Sequence, residues 1–174
     1  MVSSFGKIVV SDTTAITYLA KINALNLLKS LFQIIYIPEA VYEELTRQGD
    51  HIPGSKEVKL LPWIKVKQVK SYDEYAKKFK KKLHPGETQA IGLALHVNAD
   101  LLIIDELDGR WEAKRQGINI TGMLGIFKLA KEKKLITAVR PYLDKLRCTN
   151  FKLNPQLYRV VLEDVGELSV PKKA

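Results

Sequence analysis

With Cys148 as its only cysteine, the chain can close no internal disulfide and build no thiolate zinc site of its own. That cysteine falls in the helical C-terminal segment, where packing is its expected role. Histidine is also sparse: His51, His84 and His96 are scattered, without the spacing of a metal-binding pair. His84 stands close to Glu87 in sequence, but a loop histidine is expected to face solvent. The glycines form neither a phosphate-cradling P-loop nor a dinucleotide fingerprint. No apolar run approaches the roughly 20 residues that span a bilayer, and the stretch from Tyr18 to Phe32 is broken by Lys21, Asn23, Asn26 and Lys29. Met1 to Gly6 lacks a basic start followed by an apolar run, so no signal peptide is expected and a cytoplasmic, reducing compartment is the default. No helix divides cleanly into basic and apolar faces, which argues against membrane binding.

What is present is an ordinary globular composition with an unusual charge. The 174 residues are 46% hydrophobic and 27% charged, enough for one domain with a full core. Lysine and arginine number 28 against 19 acids, a net charge of +9. Such an excess attracts polyanions over long range, nucleic acid among them.

Runs of β-branched residues and helical periodicity alternate along the chain. Residues 7–11 read as a short buried strand and 12–22 as a helix that Asp12 or Thr13 can cap. A helix over 24–31 leads to a strand over 33–37, and Pro38 opens a helix over 39–48 that Gly49 stops. Residues 50–63, with Pro53, Gly54 and Pro62, read as loop. Residues 64–69 alternate as an edge strand, 72–82 as a basic helix and 87–97 as a largely buried helix. Leu101 to Ile104 is the clearest core strand. A helix over 106–116, a strand over 118–121 and a helix over 123–133 follow. Beyond Leu135 no strand signal remains, and helices are expected over 138–147 and 155–163, with the tail Pro171 to Ala174 frayed. Alternating strands and helices imply an α/β fold, a parallel sheet between helical layers.

Two core strands run into acids. Ile8-Val9-Val10 leads to Asp12, and Leu101 to Ile104 leads to Asp105. In open parallel sheets ligands bind beyond the carboxyl ends of the strands, so both acids are expected at one sheet edge. Asp108 stands one helical turn past Asp105, Glu87 opens a helix, and Glu44 follows Val41 on another. Clustered carboxylates repel unless a cation neutralises them, and hard oxygen ligands suit Mg2+ or Mn2+. Each acid alone has an ordinary alternative as a helix cap or a surface charge. The joint pattern carries the expectation.

The segment Ile8-Val-Val-Ser-Asp-Thr-Thr-Ala-Ile-Thr-Tyr-Leu-Ala-Lys-Ile22 resembles the opening motif of PIN-domain nucleases. Ile37-Pro-Glu-Ala-Val-Tyr-Glu-Glu-Leu45 resembles their second motif. His84-Pro-Gly-Glu-Thr-Gln-Ala-Ile-Gly-Leu-Ala94 and Ala99-Asp-Leu-Leu-Ile-Ile-Asp-Glu-Leu-Asp108 resemble the third and fourth. Their order and spacing, and Ile120-Thr-Gly-Met-Leu-Gly-Ile126, are similar to a VapC-like toxin subgroup. Ala15 stands where that subgroup commonly has proline.

The resemblance implies a PIN-like three-layer α/β/α domain with a mostly parallel sheet over residues 1–136, and a helical extension over 137–174 packed on it. It implies a metal-dependent endoribonuclease with Asp12, Glu44, Glu87 and Asp105 as catalytic acids. Asp12, Glu87, Asp105 and Asp108 would ligate Mg2+ or Mn2+, with Glu44 acting directly or through water. Glu43, adjacent to Glu44, is the alternative acid. Arg110 and Lys114, on one helical face, are the expected phosphate contacts, and Thr13 or Thr121 could orient a water. Lys77, Lys78, Lys80, Lys81 and Lys82, interleaved with Tyr75 and Phe79, read as a solvated face or as a second RNA path. The subgroup also implies a small antitoxin partner and a homodimer. Ile16, Leu19, Leu27 and Leu31 are open to two readings, a groove for an antitoxin helix or simply core. The rival functions are a non-catalytic PIN-like RNA- or protein-binding module and a DNA-directed structure-specific nuclease.

Overall fold

Val9 and Val10 are neighbours on one strand, so their side chains point to opposite faces, yet both are fully buried. Such a strand needs protein on both faces of its sheet, the arrangement of parallel α/β folds. The computed structural model describes residues 6–70 and 72–168. The expectations placed on the first five residues and on the tail Pro171 to Ala174 lie outside the described residues.

The described chain runs β1 (Val9–Ser11), α1 (Thr13–Lys21), α2 (Asn26–Phe32), β2 (Ile35–Pro38), α3 (Glu39–Thr46), α4 (Ser55–Leu60), β3 (Ile64–Lys67) and α5 (Tyr72–Lys78). It continues with α6 (Pro85–His96), β4 (Leu101–Ile103), α7 (Leu107–Arg115), β5 (Ile120–Thr121), α8 (Met123–Glu132), α9 (Arg140–Arg147) and α10 (Pro155–Asp164). The strands form one sheet in the order β3-β2-β1-β4-β5. Every pairing in it is parallel, where the sequence suggested a mostly parallel sheet. The chain first builds outward from β1 to β3, then returns to lay β4 on the other side of β1. The switch point of the topology therefore lies between β1 and β4.

Each face of the sheet has its own core. Val9, Ile35, Ile37 and Ile103 pack against α1, α2 and α8. Leu143 and Leu146 of α9 and Val161 and Leu162 of α10 join that same cluster. Val10, Leu102 and Ile104 pack on the opposite face against α6 and Ala113 of α7. Ile16 and Leu19 are fully buried within the first cluster, so they are core and not the wall of an open groove.

Three local expectations are corrected. Residues 50–63 are not all loop, because α4 forms between the prolines. Gly54 adopts φ +95°, its N–H donates to Glu57 Oε2 at 3.0 Å, and Val58 is buried. A Cβ at Gly54 would also stand 3.2 Å from both Ile16 and Leu45, so only glycine suits this turn. The basic helix over 72–82 stops at Lys78 instead, because the Glu112 carboxylate captures the Lys80 and Lys81 amides at 3.0 and 3.3 Å. The aromatic residues between those lysines face inward, with Phe79 packed on the second core. Cys148 is exposed at the end of α9 and does not pack in the core. No helix among the described residues is long and apolar enough to cross a membrane.

Candidate active site

Ser11 pairs with Ile103 across the switch point, so the residues just beyond them leave the sheet side by side. Asp12 prolongs the pairing, its N–H donating to the Ile103 carbonyl at 3.0 Å. It is also the N-cap of α1, and Oδ1 accepts from the Ala15 N–H at 3.4 Å. A proline at position 15 would remove that donor. Asp105, two residues past β4, accepts from the Met123 N–H at the start of α8, at 3.0 Å to Oδ1 and 3.3 Å to Oδ2. Glu87 lies in the first turn of α6, where a helix favours negative charge. Its Oε2 accepts from the His84 N–H at 3.1 Å.

These carboxylates hold their protons unusually tightly. Asp12 is only 2% exposed. Burial is the main cause that raises its pKa well above the ordinary 3.8, reinforced by the charges of Asp105 and Glu87 and only partly offset by the backbone N–H groups of Ala15 and Asp105. Burial pushes Asp105 up to about 6 against the lowering influence of Met123 and Arg110, and Glu106 adds to the rise. Burial likewise raises Glu87, with further repulsion from Glu106 and Asp108. The charges of Asp105 and Glu87 both act on Asp12, which ties the ends of β1 and β4 and the start of α6 into one electrostatic cluster.

Glycines let the backbone close around it. A Cβ on Gly122 would stand 2.6 Å from Asp105 Oδ1 and 3.0 Å from Arg110 Nη1. One on Gly109 would meet Glu87 Oε1 at 3.4 Å, and one on Gly86 would meet Glu44 Oε2 at 2.9 Å. Gly122→Ala is therefore expected to push the Asp105 carboxylate out of place while leaving the fold intact. A loss of Mn2+ affinity of about 10- to 100-fold is the expected reading in calorimetry, the range seen when a ligand's support is disturbed. Unchanged affinity would mean that Asp105 takes no part in cation binding.

The other sequence-derived residues occupy varied positions. Glu44 is on the same side, with Oε2 accepting from Thr13 Oγ1 at 2.8 Å, whereas Glu43 lines a separate groove with Glu39 and Tyr42. Thr13 thus orients Glu44, and Thr121 lines a cavity that opens beside Asp105. Asp108 is exposed and tied to Lys81 at 2.9 Å. Arg110 spends Nη1 on the Ile104 carbonyl at 2.9 Å, while its charge acts on Asp105. Lys114 is exposed one helical turn further along α7. His84 is exposed; its backbone N–H donates to Glu87, and its charge also acts to lower the Glu87 pKa. Two contributors escaped the sequence reading. Glu106 follows Asp105 directly, and adjacency to a strand-end acid was the available signal. Gly122 lies in the quoted segment Ile120 to Ile126, but its role was not legible there, because its constraint is a contact with Asp105, far away in sequence.

The donor set fits a hard divalent cation. Asp12 and Asp105 are carboxylates, hard oxygen donors, with no hydrogen-bonded cationic partner among the described residues. Among the described residues no three His, Cys, Asp or Glu side chains stand close enough to form a ready-made metal cage. Mg2+ and Mn2+ tolerate such incomplete protein shells, since they retain several waters.

Comparisons with known proteins agree with this architecture. None of the curated proteins matches the chain. Among solved structures it is similar to a PilT N-terminus domain protein, SSO1118, from the hyperthermophilic archaeon Sulfolobus solfataricus P2. The identity is 22% and the TM-score 0.50, over 68% of this chain and 89% of that one. A family model described as "DUF3368: PIN domain" matches residues 8–167. The chain thus belongs to the PIN-domain family.

Proposed function

We propose that the protein is a metal-dependent endoribonuclease, and that it acts as the toxin of a toxin–antitoxin pair. PIN domains have a nuclease-type fold, are usually nucleases and generally use divalent metal ions. The observation that carries the proposal is the pair of buried Asp12 and half-buried Asp105, side by side at the switch point with no hydrogen-bonded cationic partner among the described residues. Two such acids raise the proton affinity of their own cluster, an expensive arrangement that a bound cation would relieve.

Asp12, Glu87 and Asp105 would hold Mg2+ or Mn2+, with Asp108 and Glu44 acting directly or through water. When bound, the cation supplies a water of lowered pKa and positive charge for the scissile phosphate. The chain does the rest. Thr13 fixes Glu44, the Met123 N–H fixes Asp105, and Arg110 brings positive charge beside Asp105 where a phosphate would arrive. Lys114 extends that charge along α7. The overall +9 draws the polyanion in.

Cleavage of a labelled single-stranded RNA in Mg2+, Mn2+ or EDTA tests the reading, alongside branched and duplex DNA. Metal-dependent cutting of RNA alone is expected. Preferential cutting of DNA would make the protein a structure-specific DNA nuclease, and Mn2+ binding without cutting would make it a binding module. The toxin reading draws support from Leu107 and Trp111, which leave 82% and 45% of their surface exposed on α7. Apolar residues this open at the site's rim suit coverage by a small antitoxin or a second copy. Co-purification with a small neighbouring gene product, and light scattering of the isolated chain, check the two partners.

A further inference from the structure

Beside Asp105 the chain encloses a cavity of about 720 Å³ that the hydrolytic chemistry itself does not require. Asp105, Arg110 and Thr121 line it together with Tyr18 of α1 and with Asn150 and Phe151, between α9 and α10. Its size falls in the range of small-ligand sites. Whatever fills it meets both an acidic and an aromatic lining.

The aromatic lining is built rigidly. Phe151 meets Tyr18 edge to face with ring centres 5.0 Å apart, and Lys21 lies 4.7 Å over the Tyr18 ring. Tyr18 Oη and Lys21 Nζ both donate to Asn150 Oδ1, at 3.1 and 3.0 Å. An ammonium only donates, so the atom facing Lys21 must be the amide oxygen. The Asn150 amide nitrogen therefore points elsewhere, and neither of its hydrogens has a partner among the described residues. Thr149 Oγ1 accepts from the Phe151 N–H at 3.1 Å and locks the turn. Glu167 holds α9 from behind, accepting from the Val139 and Arg140 N–H groups at 2.7 and 2.8 Å.

We infer that this cavity seats one unstacked nucleobase of a single-stranded RNA next to the scissile phosphate, and that Asn150 and Phe151 determine which base is accepted. The inference rests on the ribonuclease reading above. An aromatic surface, a free amide donor, a guanidinium for the phosphate and the exposed Lys152 at the rim make up the chemistry of a splayed nucleotide. Phe151 supplies stacking for any base. Asn150 supplies a donor, so it favours a base presenting an acceptor there. The helical extension thereby sets specificity for a site that the sheet supplies.

The test uses the full chain with Ca2+ in place of Mn2+, and fluorescence anisotropy of labelled eight-nucleotide RNAs that differ in one base. Phe151→Ala is expected to weaken binding about tenfold for every sequence, as loss of one stacked base does, with Mn2+ affinity unchanged in calorimetry. Asn150→Asp keeps the acceptor for Tyr18 and Lys21 and replaces the donor by an acceptor. It is expected to reorder the preference among bases, a change that added charge alone does not produce. Because Phe151 also packs on the core, its thermal melt is recorded in parallel, and exposed Asn150 carries the test if the melt collapses. An unaltered base ranking in folded Asn150→Asp overturns the inference. If the wild type binds these RNAs but cuts none, the nuclease reading fails while the Asn150 ranking still decides the cavity's role.

Discussion

Asp12→Asn is expected to lower Mn2+-dependent RNA cleavage by about 10³-fold or more, roughly 4 kcal/mol of transition-state stabilisation. The same change is expected to raise the melting temperature of the metal-free protein at pH 7.5. Asparagine is as good an N-cap as aspartate, so the bond from the Ala15 N–H survives. What disappears is a buried charge facing Asp105 and Glu87.

The sign follows from linkage. For an acid whose pKa is higher folded than unfolded, the folded state binds more protons between the two values, so stability falls as pH rises through that window. Asp105, moving from 3.8 to about 6, places its share between about pH 4 and pH 6 and amounts to about 3 kcal/mol at most. Asp12 is raised for the same reason, burial first, and adds loss in the same direction. The wild type without metal should therefore lose stability from pH 4 to pH 7. Mn2+ at 100 times its dissociation constant should restore about 2.7 kcal/mol at pH 7.5. Calorimetric melts of wild type and variant with and without Mn2+ measure all of this. A variant that melts lower and still cuts RNA would falsify the assignment of Asp12.

Glu112→Ala is expected to remove about 3–5 kcal/mol of stability, the usual consequence of breaking a buried charged network. In a chain of this size that lowers the melting temperature by about 10 °C. Glu112 is fully buried, and its Oε2 accepts the Lys80 and Lys81 N–H groups. Its Oε1 accepts from Arg115 and from Gln116 Nε2, the latter at 3.0 Å. Burial raises its pKa, but Gln116, Arg115 and the two amides outweigh it and leave the pKa below the ordinary 4.5. Its stabilisation is thus present above about pH 4.5 and is lost as pH falls through the folded value, opposite to Asp12 and Asp105. Glu112→Gln keeps the volume and should lose less. Urea denaturation at pH 7 and pH 4 separates the cases. A loss below about 1 kcal/mol for the alanine variant would place Glu112 among ordinary surface acids. The network also fixes the Lys81 backbone, and Lys81 reaches Asp108, so the variant should alter the charge at the rim of the site.

Much of this architecture is written in local sequence. Short runs of consecutive β-branched and leucine residues at 8–10 and 101–104, too short for helices, read as strands buried on both faces, and the acids at their ends follow from chain direction. Helix punctuation was less legible. Pro53, Gly54 and Pro62 read as loop, yet Glu57 caps a six-residue helix between them. Nothing before Lys82 announces that the α5 helix ends at Lys78, because the carboxylate that ends it lies more than thirty residues further on.

The sequence by itself determined the α/β class and the family and singled out the candidate acids, since periodicity, chain direction and motif order are properties of neighbouring residues. Only the tertiary structure decided how those acids relate. Adjacent helical residues point about 100° apart, and packing turned Glu44 toward Thr13 and Gly86 while Glu43 met another groove. Likewise Asp105 acts on Asp12 only because β4 was laid beside β1 after an excursion through β2 and β3. Desolvation and Coulomb repulsion act through space, and a linear sequence does not carry the distances on which they depend.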